Sequence, residues 1–269
     1  LDRSLPALGV VGDFLPSWGI MLHKTPVGQM TATRKWLAIL LGVLLLLQSG
    51  LCAGEVVRQL PGNEKIIALT FDACETKTPS FVDQSIVSFL LQEHIPFTIF
   101  VSGRFARRNA EELRTLAGTG LVELENHSLN HVQHMERLSE EAVLREVVEC
   151  EELITELSGH KPLFFRFPAG NYDQRTLRIV ENLGYRVVHW SFASGDPDKH
   201  LSPQRLSTWV LGKARPGNIL IFHVNGRGYS TGEALPDIVA QLRNQGVQFV
   251  RLDNVLTASG TTGGAPAAR

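Results

Sequence analysis

From Glu64 onward the chain alternates between two rhythms of hydrophobic and polar positions. Seven short runs rich in β-branched and aromatic residues read as strands: 66–71 (IIALTF), 97–101 (FTIFV), 121–125 (LVELE), 163–167 (LFFRF), 186–190 (RVVHW), 219–222 (ILIF) and 248–252 (QFVRL). Segments with apolar residues every three or four positions read as helices over 80–93, 139–157, 173–183, 202–211 and 234–244. The second opens on Ser139-Glu140-Glu141-Ala142, a helix start signal, and keeps Val143, Val147, Ile154 and Leu157 on one stripe. Gly184 and Gly246 stand just past two of these helices, where a residue free to adopt a left-handed conformation ends them. Strands alternating with helices predict an α/β protein with a parallel sheet, either open and doubly wound or closed into a barrel. In both architectures the active site belongs at the strand C-terminal ends.

Those ends carry chemistry. Asp72 follows the first strand, and Asn126, His127 and His131 follow the third. Arg166 lies in the fourth and runs into Pro168-Ala169-Gly170. Ser194, Gly195 and Asp196 follow the fifth, and His223 follows the sixth. Taken singly, each has a structural role to fill: an aspartate caps, a buried arginine pairs, a core histidine is satisfied by a carbonyl. Nine histidines also place two of them four residues apart by chance. A purely structural barrel, however, has no need of polar groups at five of seven strand ends, so their convergence is the signal.

The remaining features set the context. With 269 residues, 43% hydrophobic, and a net charge of −1, the chain suits one large α/β domain and carries no basic footprint for nucleic acid. Arg34 and Lys35 precede an apolar run over 37–47, and the small residues Cys52, Ala53 and Gly54 follow. The run is short of the roughly 18 residues that span a bilayer. This predicts a secretory signal over 30–54, cleaved after Ala53 or Gly54, and a secreted or periplasmic protein that meets the membrane only through that segment. A buried helix or an uncleaved anchor is the competing reading. Residues 1–29, ahead of Met30, read as an upstream extension, with a genuine N-terminal arm as the alternative; 55–256 reads as the domain and 257–269 as a disordered tail. Export would permit a Cys74–Cys150 disulfide; Cys74 as a free thiol or metal ligand is the alternative.

Together the strand-end groups resemble the polysaccharide deacetylase family, NodB-type or carbohydrate esterase family 4. Thr70-Phe71-Asp72, His127-Ser128-Leu129-Asn130-His131, Arg166-Phe167-Pro168-Ala169-Gly170-Asn171-Tyr172, Trp190 with Asp196, and Leu220-Ile221-Phe222-His223 follow the order of the family's five motifs, over about 64–256. The resemblance implies an irregular seven-stranded (β/α) barrel that removes acetyl groups from an N-acetylated glycan. It implies that His127 and His131 bind a divalent metal, zinc or cobalt, which polarises the acetamide carbonyl. Asp72 would be the general base, Arg166 would orient it, and Asp196 would tether Arg166. The metal and a backbone N–H would hold the oxyanion, and His223 would protonate the departing amine. Pro168, Asn171, Tyr172 and Trp190 would contact substrate, with Trp190 forming a groove wall or a core aromatic. Leu220 would line the pocket for the acetyl methyl.

The pattern breaks at one position. The family's first motif normally continues with a second aspartate that ligates the metal, and here Ala73 stands in its place. Four arrangements fit: Cys74 or Glu75 supplies the third ligand, Asp72 itself binds metal, two histidines and water hold it, or the enzyme works without metal. If the site is a weakened version of the family's, Ala73→Asp should tighten metal binding. Two other functions compete: hydrolysis of a non-sugar cyclic amide without metal, favoured by a cytoplasmic location, and glycan binding without turnover, which would not require Asp72, Arg166 and His223 together.

Overall fold

The structure is a computed structural model that describes residues 55–75 and 77–257. The predicted extension, the signal segment and the tail beyond Thr257 lie outside the described residues.

Eight strands form: β1 (Ile66–Ala73), β2 (Phe97–Val101), β3 (Val122–Asn126), β4 (Phe164–Phe165), β5 (Arg186–Val187), β6 (Phe192–Ala193), β7 (Ile219–His223) and β8 (Gln248–Val250). Their ladders are parallel and run β5-β4-β3-β2-β1-β7-β6, a seven-strand sheet curled into a half-barrel, as the alternating pattern predicts. β8 lies off this path and pairs with Ile66–Ala68, while Thr70–Ala73 pair with β2. The unpredicted β6 is two residues long, too short to leave a period in the sequence. β5 and β6, at the two ends of the path, are not paired. The segment ahead of β1 bridges the gap: Val57 N–H donates to Val187 (2.9 Å), and Leu60 N–H donates to Gly217 (2.8 Å).

The helices are α1 (Gln84–Gln92), α2 (Gly103–Arg108), α3 (Ala110–Ala117), α4 (Glu140–Ser158), α5 (Gln174–Asn182), α6 (Pro203–Lys213), α7 (Thr231–Asn244) and α8 (Leu252–Leu256). Side chains cap three predicted starts: Ser139, Asp173 and Ser202 accept from backbone N–H groups of Ala142, Thr176 and Arg205. At Asp173 the cap is reciprocal, with the Thr176 hydroxyl accepting from the Asp173 N–H. Gly184 and Gly246 are left-handed, as expected past α5 and α7. α2 and α3 escaped the sequence reading because Asn109 divides one amphipathic stretch into two short helices.

Strand alternation sorts the residues of β1 onto two faces. Ile67, Leu69, Phe71 and Ala73 belong to the main apolar cluster, together with helix residues such as Ile86, Leu235 and Ile238. The opposite face carries Ile66, Ala68, Thr70 and Asp72. Its lower half joins Phe164, Val188, Ile219 and Leu252 in a second cluster, and its upper half is polar. The inner face of β3 is acidic: Glu123 accepts from the Thr98 hydroxyl (2.6 Å) and Glu125 from the Phe164 N–H (2.5 Å). Burial and the neighbouring Asp253 push Glu123 up to about 7, and burial beside Glu123 raises Glu125 well above the ordinary carboxylate range. The polar upper half of β1 holds charged groups at the strand C-terminal ends, while Glu123 and Glu125 contact residues of the lower cluster.

Candidate active site

Asp72 and Arg166 form the centre. Arg166, just past β4, is completely buried, and its guanidinium donates to Asp72 Oδ1 (2.7 Å), the Thr70 hydroxyl (2.9 Å) and the carbonyls of Val188 (3.2 Å) and His189 (3.1 Å). The group lies 3.9 Å from the ring centroid of Phe100, which faces inward from β2. Thr70 in turn donates to the Leu220 carbonyl (2.6 Å). Burial alone would raise the Asp72 carboxyl, but His127 and Arg166 outweigh it and hold Asp72 well below the usual carboxylate range.

The two predicted histidines meet here without a helix. His127 to His131 is a loop in which Ser128 and His131 take left-handed backbone conformations, with φ of 65° and 54°. Hydrogen bonds hold it: Ser128 N–H donates to Asn126 Oδ1 (3.0 Å), His131 N–H to Ser128 Oγ (3.1 Å), and Leu129 and Asn130 N–H groups to Glu146 of α4 (2.8 Å each). The imidazole centroids lie 4.8 Å apart. His127 Nδ1 donates to the Arg166 carbonyl (2.8 Å), which leaves Nε2 facing Asp72 Oδ2 at 3.3 Å. His127 Nε2 and His131 Nδ1 are buried without a hydrogen-bond partner. Burial pushes His131 down to about 3, so its ring is neutral and its lone pair free. Two orphaned imidazole nitrogens beside a carboxylate oxygen suit a cation. Even so, no three His, Cys, Asp or Glu side chains among the described residues form a metal cage.

The position expected to supply a third carboxylate is Ala73, and its side chain lies away from the cavity. Ala73 continues β1, is completely buried and packs in the same apolar cluster as Phe71, whereas Asp72 and Cys74 line the cavity. A carboxylate at 73 would enter that apolar cluster, so the expected tightening of metal binding by Ala73→Asp does not follow. Glu75 is also turned away: it pairs with Arg108 and accepts from the Ser80 N–H (3.2 Å). Cys74 faces the cavity as a thiol pushed up to about 11 by burial, and its sulfur accepts from Asn225 Nδ2 (3.3 Å). Cys74 and Cys150 are both free, with no disulfide between them.

A second charged pair stands at the other side of the site. Asp196 accepts from His223 Nδ1 (2.9 Å), His223 N–H (2.7 Å), Ser194 Oγ (3.1 Å) and Thr231 Oγ1 (2.9 Å). This corrects the expectation that Asp196 tethers Arg166. Asp196 follows β6, which pairs with β7, the strand that carries His223, and so it reaches the histidine. Burial opposes charge on His223, but the Asp196 hydrogen bond and carboxylate prevail and raise it above its ordinary range. Gly228 lets the following loop close over the pair: a Cβ there would lie 2.8 Å from Asp196 Oδ2.

Between the two pairs lies a cavity of about 230 Å³, walled by Asp72, His131, Trp190, Ile221, His223 and Arg227 among others. Trp190 stacks on His189 with ring centroids 5.2 Å apart. Leu220 lies outside the cavity, packed with Phe222 in the outer cluster; one residue on, Ile221 faces inward, as strand alternation requires. Ala169, left-handed with φ of 55°, is the wall residue of the Arg166–Tyr172 segment. Pro168 is buried, Asn171 donates to the Gln133 carbonyl (3.0 Å), and Tyr172 stacks on Phe167 with centroids 5.4 Å apart, so none of the three is in the wall. Thr70, Ile221 and Arg227 are the residues that sequence reading left without a role. Period-two alternation could have found Ile221; no local signal marks the other two.

Comparison with known proteins identifies the family. The sequence profile of the family described as polysaccharide deacetylase matches residues 59–188. A peptidoglycan-N-acetylglucosamine deacetylase of Bacillus cereus is 30% identical over 206 residues, covering 76% of this chain and 93% of that protein. A peptidoglycan-N-acetylmuramic acid deacetylase of Bacillus subtilis is 27% identical, covering 72% of each. A solved peptidoglycan N-acetylglucosamine deacetylase superposes with a TM-score of 0.68 at 25% identity, over 74% of this chain and 92% of that one. The family match includes the strands that lead to Asp72 and Arg166, the likeness to the Bacillus cereus protein covers 76% of this chain, and on that evidence the chain belongs to the polysaccharide deacetylase family, carbohydrate esterase family 4.

Proposed function

We propose that the protein is an exported hydrolase that removes acetyl groups from N-acetylated sugars of a cell-wall polysaccharide, peptidoglycan before chitin-like polymers. The observation that carries this reading is the single cavity flanked by two differently tuned pairs, Asp72–Arg166 and Asp196–His223. Hydrolysis of an acetamide needs a base to take a proton from water and an acid to give one to nitrogen. Asp72 stays ionised and accepts the water proton as the oxygen attacks the carbonyl carbon. Arg166 fixes the carboxylate's direction and keeps its charge. His223, held protonated by Asp196, gives its proton to the nitrogen as the C–N bond breaks, leaving acetate and the free amine. His127 and His131, with Asp72 Oδ2 nearby, would hold a divalent ion. Such an ion supplies Lewis acidity toward the carbonyl when bound.

The test is acetate release by the protein from N-acetylated oligosaccharides as purified, after chelation, and after zinc or cobalt is added back. Loss on chelation with recovery on addition is expected. Release indifferent to chelation would retain the deacetylase and remove the ion. No release under any condition would favour glycan binding without turnover.

The raised His223 sets the alkaline side of the pH profile. Its proton is present below the folded-state pKa and lost as pH rises through it, and the pair's stabilisation follows the same course. Asp196→Asn removes the carboxylate that raises it, so the alkaline limb of kcat/KM is expected to move to lower pH. A limb that stays in place would assign the titration to another group.

A further inference from the structure

The charged side chains that line the catalytic cavity are Asp72, Asp196, His223 and Arg227. Asp72 is balanced by Arg166 and Asp196 by His223. Arg227 forms no ion pair with a carboxylate among the described residues, and its guanidinium hydrogen-bonds the Cys74 side chain, a neutral thiol on the same cavity wall. Burial is the largest influence at Cys74, His131 and His223, and the Arg227 charge adds a smaller downward push at each, so it stands beside all three. The loop that carries it is fixed at both ends. Val224 N–H donates to the Asp72 carbonyl (3.2 Å), Asn225 Nδ2 donates to the Cys74 carbonyl (2.6 Å), and Thr231 N–H donates to the Gly228 carbonyl (2.9 Å). Gly226 is left-handed, with φ of 75°, and a Cβ at Gly228 would lie 2.4 Å from the His223 carbonyl oxygen, so the chain turns back over the cavity on two glycines with Arg227 between them. Arg227 itself is exposed, within reach of whatever enters. An unbalanced cation on a cavity wall is a site for negative charge.

We infer that Arg227 is a further catalytic residue, whose guanidinium donates to the acetamide carbonyl oxygen as that oxygen becomes negative. The inference rests on the deacetylase reading. The acetamide is neutral when it binds. As the water oxygen bonds to the carbonyl carbon, Asp72 takes the water proton and the carbonyl π pair moves onto oxygen. The pair returns when the C–N bond breaks and nitrogen takes the His223 proton. Acetic acid leaves and ionises in solvent, and the proton on Asp72 returns to His223 by way of solvent. Negative charge therefore stands on that oxygen only between attack and collapse. A cation aimed at it lowers the barrier without tightening the hold on substrate.

The test compares Arg227→Ala and Arg227→Lys with wild type, in the full chain, on N-acetylated oligosaccharides. In Arg227→Ala, kcat and kcat/KM are expected to fall together by about tenfold to hundredfold with KM unchanged, a smaller loss than for a buried oxyanion donor because solvent screens this guanidinium in part. Arg227→Lys should keep part of the rate, and guanidinium salt well below denaturing concentration should restore part of it to Arg227→Ala, while melting curves show both variants folded. An Arg227→Ala protein within about twofold of the wild-type rate, a fall confined to KM, or a loss that neither lysine nor guanidinium relieves would overturn the assignment. Acetate, the anionic product, gives a readout apart from turnover: its NMR line should broaden with wild type and not with Arg227→Ala. If wild type releases no acetate from any oligosaccharide, Arg227-dependent acetate binding would keep the anion site and sink the deacetylase reading, and acetate binding indifferent to Arg227 would sink both.

Discussion

Asp72→Asn is expected to lower acetate release by about 10²–10⁴-fold, the range supplied by a positioned general base. The amide oxygen still accepts a hydrogen bond from Arg166 but cannot take a proton from water or neutralise the guanidinium. The variant is therefore also expected to melt earlier than wild type, because among the described residues Arg166 pairs with no other carboxylate: its remaining partners are a hydroxyl and two carbonyls. Rates should be compared well below the variant's own melting temperature, so that lost turnover is not lost fold. A folded Asp72→Asn protein with the wild-type rate would remove Asp72 from the reaction.

The largest effect on stability should come from Arg166→Ala. Removing one partner of a buried pair costs about 3–5 kcal/mol, because the other charge is left without compensation. Here that charge is Asp72, and the truncation also empties the space beside Phe100 and takes donors from two buried carbonyls. Urea unfolding measures the loss. The double variant Asp72→Leu/Arg166→Met removes both charges and keeps apolar bulk, so it should recover much of the stability while remaining inactive. A loss below about 1 kcal/mol in Arg166→Ala would mean that water enters and solvates Asp72, and that the pair is not what holds this end of the barrel.

Much of this was legible in the chain. The runs that became β1, β2, β3 and β7 are long and buried, so their composition announces them. Ser139, Asp173 and Ser202 marked helix starts because a cap is a local device. Asp72, His127, His131, Arg166 and His223 stand out in the sequence because parallel sheets put polar groups where strands end, and the structure brings them to one end of the sheet. What was missed depends on long-range pairing or on the parity of a strand. Asp196 could be assigned to Arg166 or to His223 only by knowing that β6 lies against β7. Leu220 and Ile221 are both apolar, so composition does not say which faces inward, and a shift of one residue reverses the face. The turn of Glu75 toward Arg108, and of Thr70 toward Arg166, joins residues more than 30 positions apart and leaves no trace in either local sequence.

The packing of Ala73 in the outer apolar cluster also limits what a carboxylate at this position can do. A carboxylate restored at this position would be placed among apolar side chains, uncompensated, and selection for stability would remove it before any gain at the histidines could be tested. A third acidic donor at this strand end therefore has to come from a position on the other face, or follow a change that bends the strand.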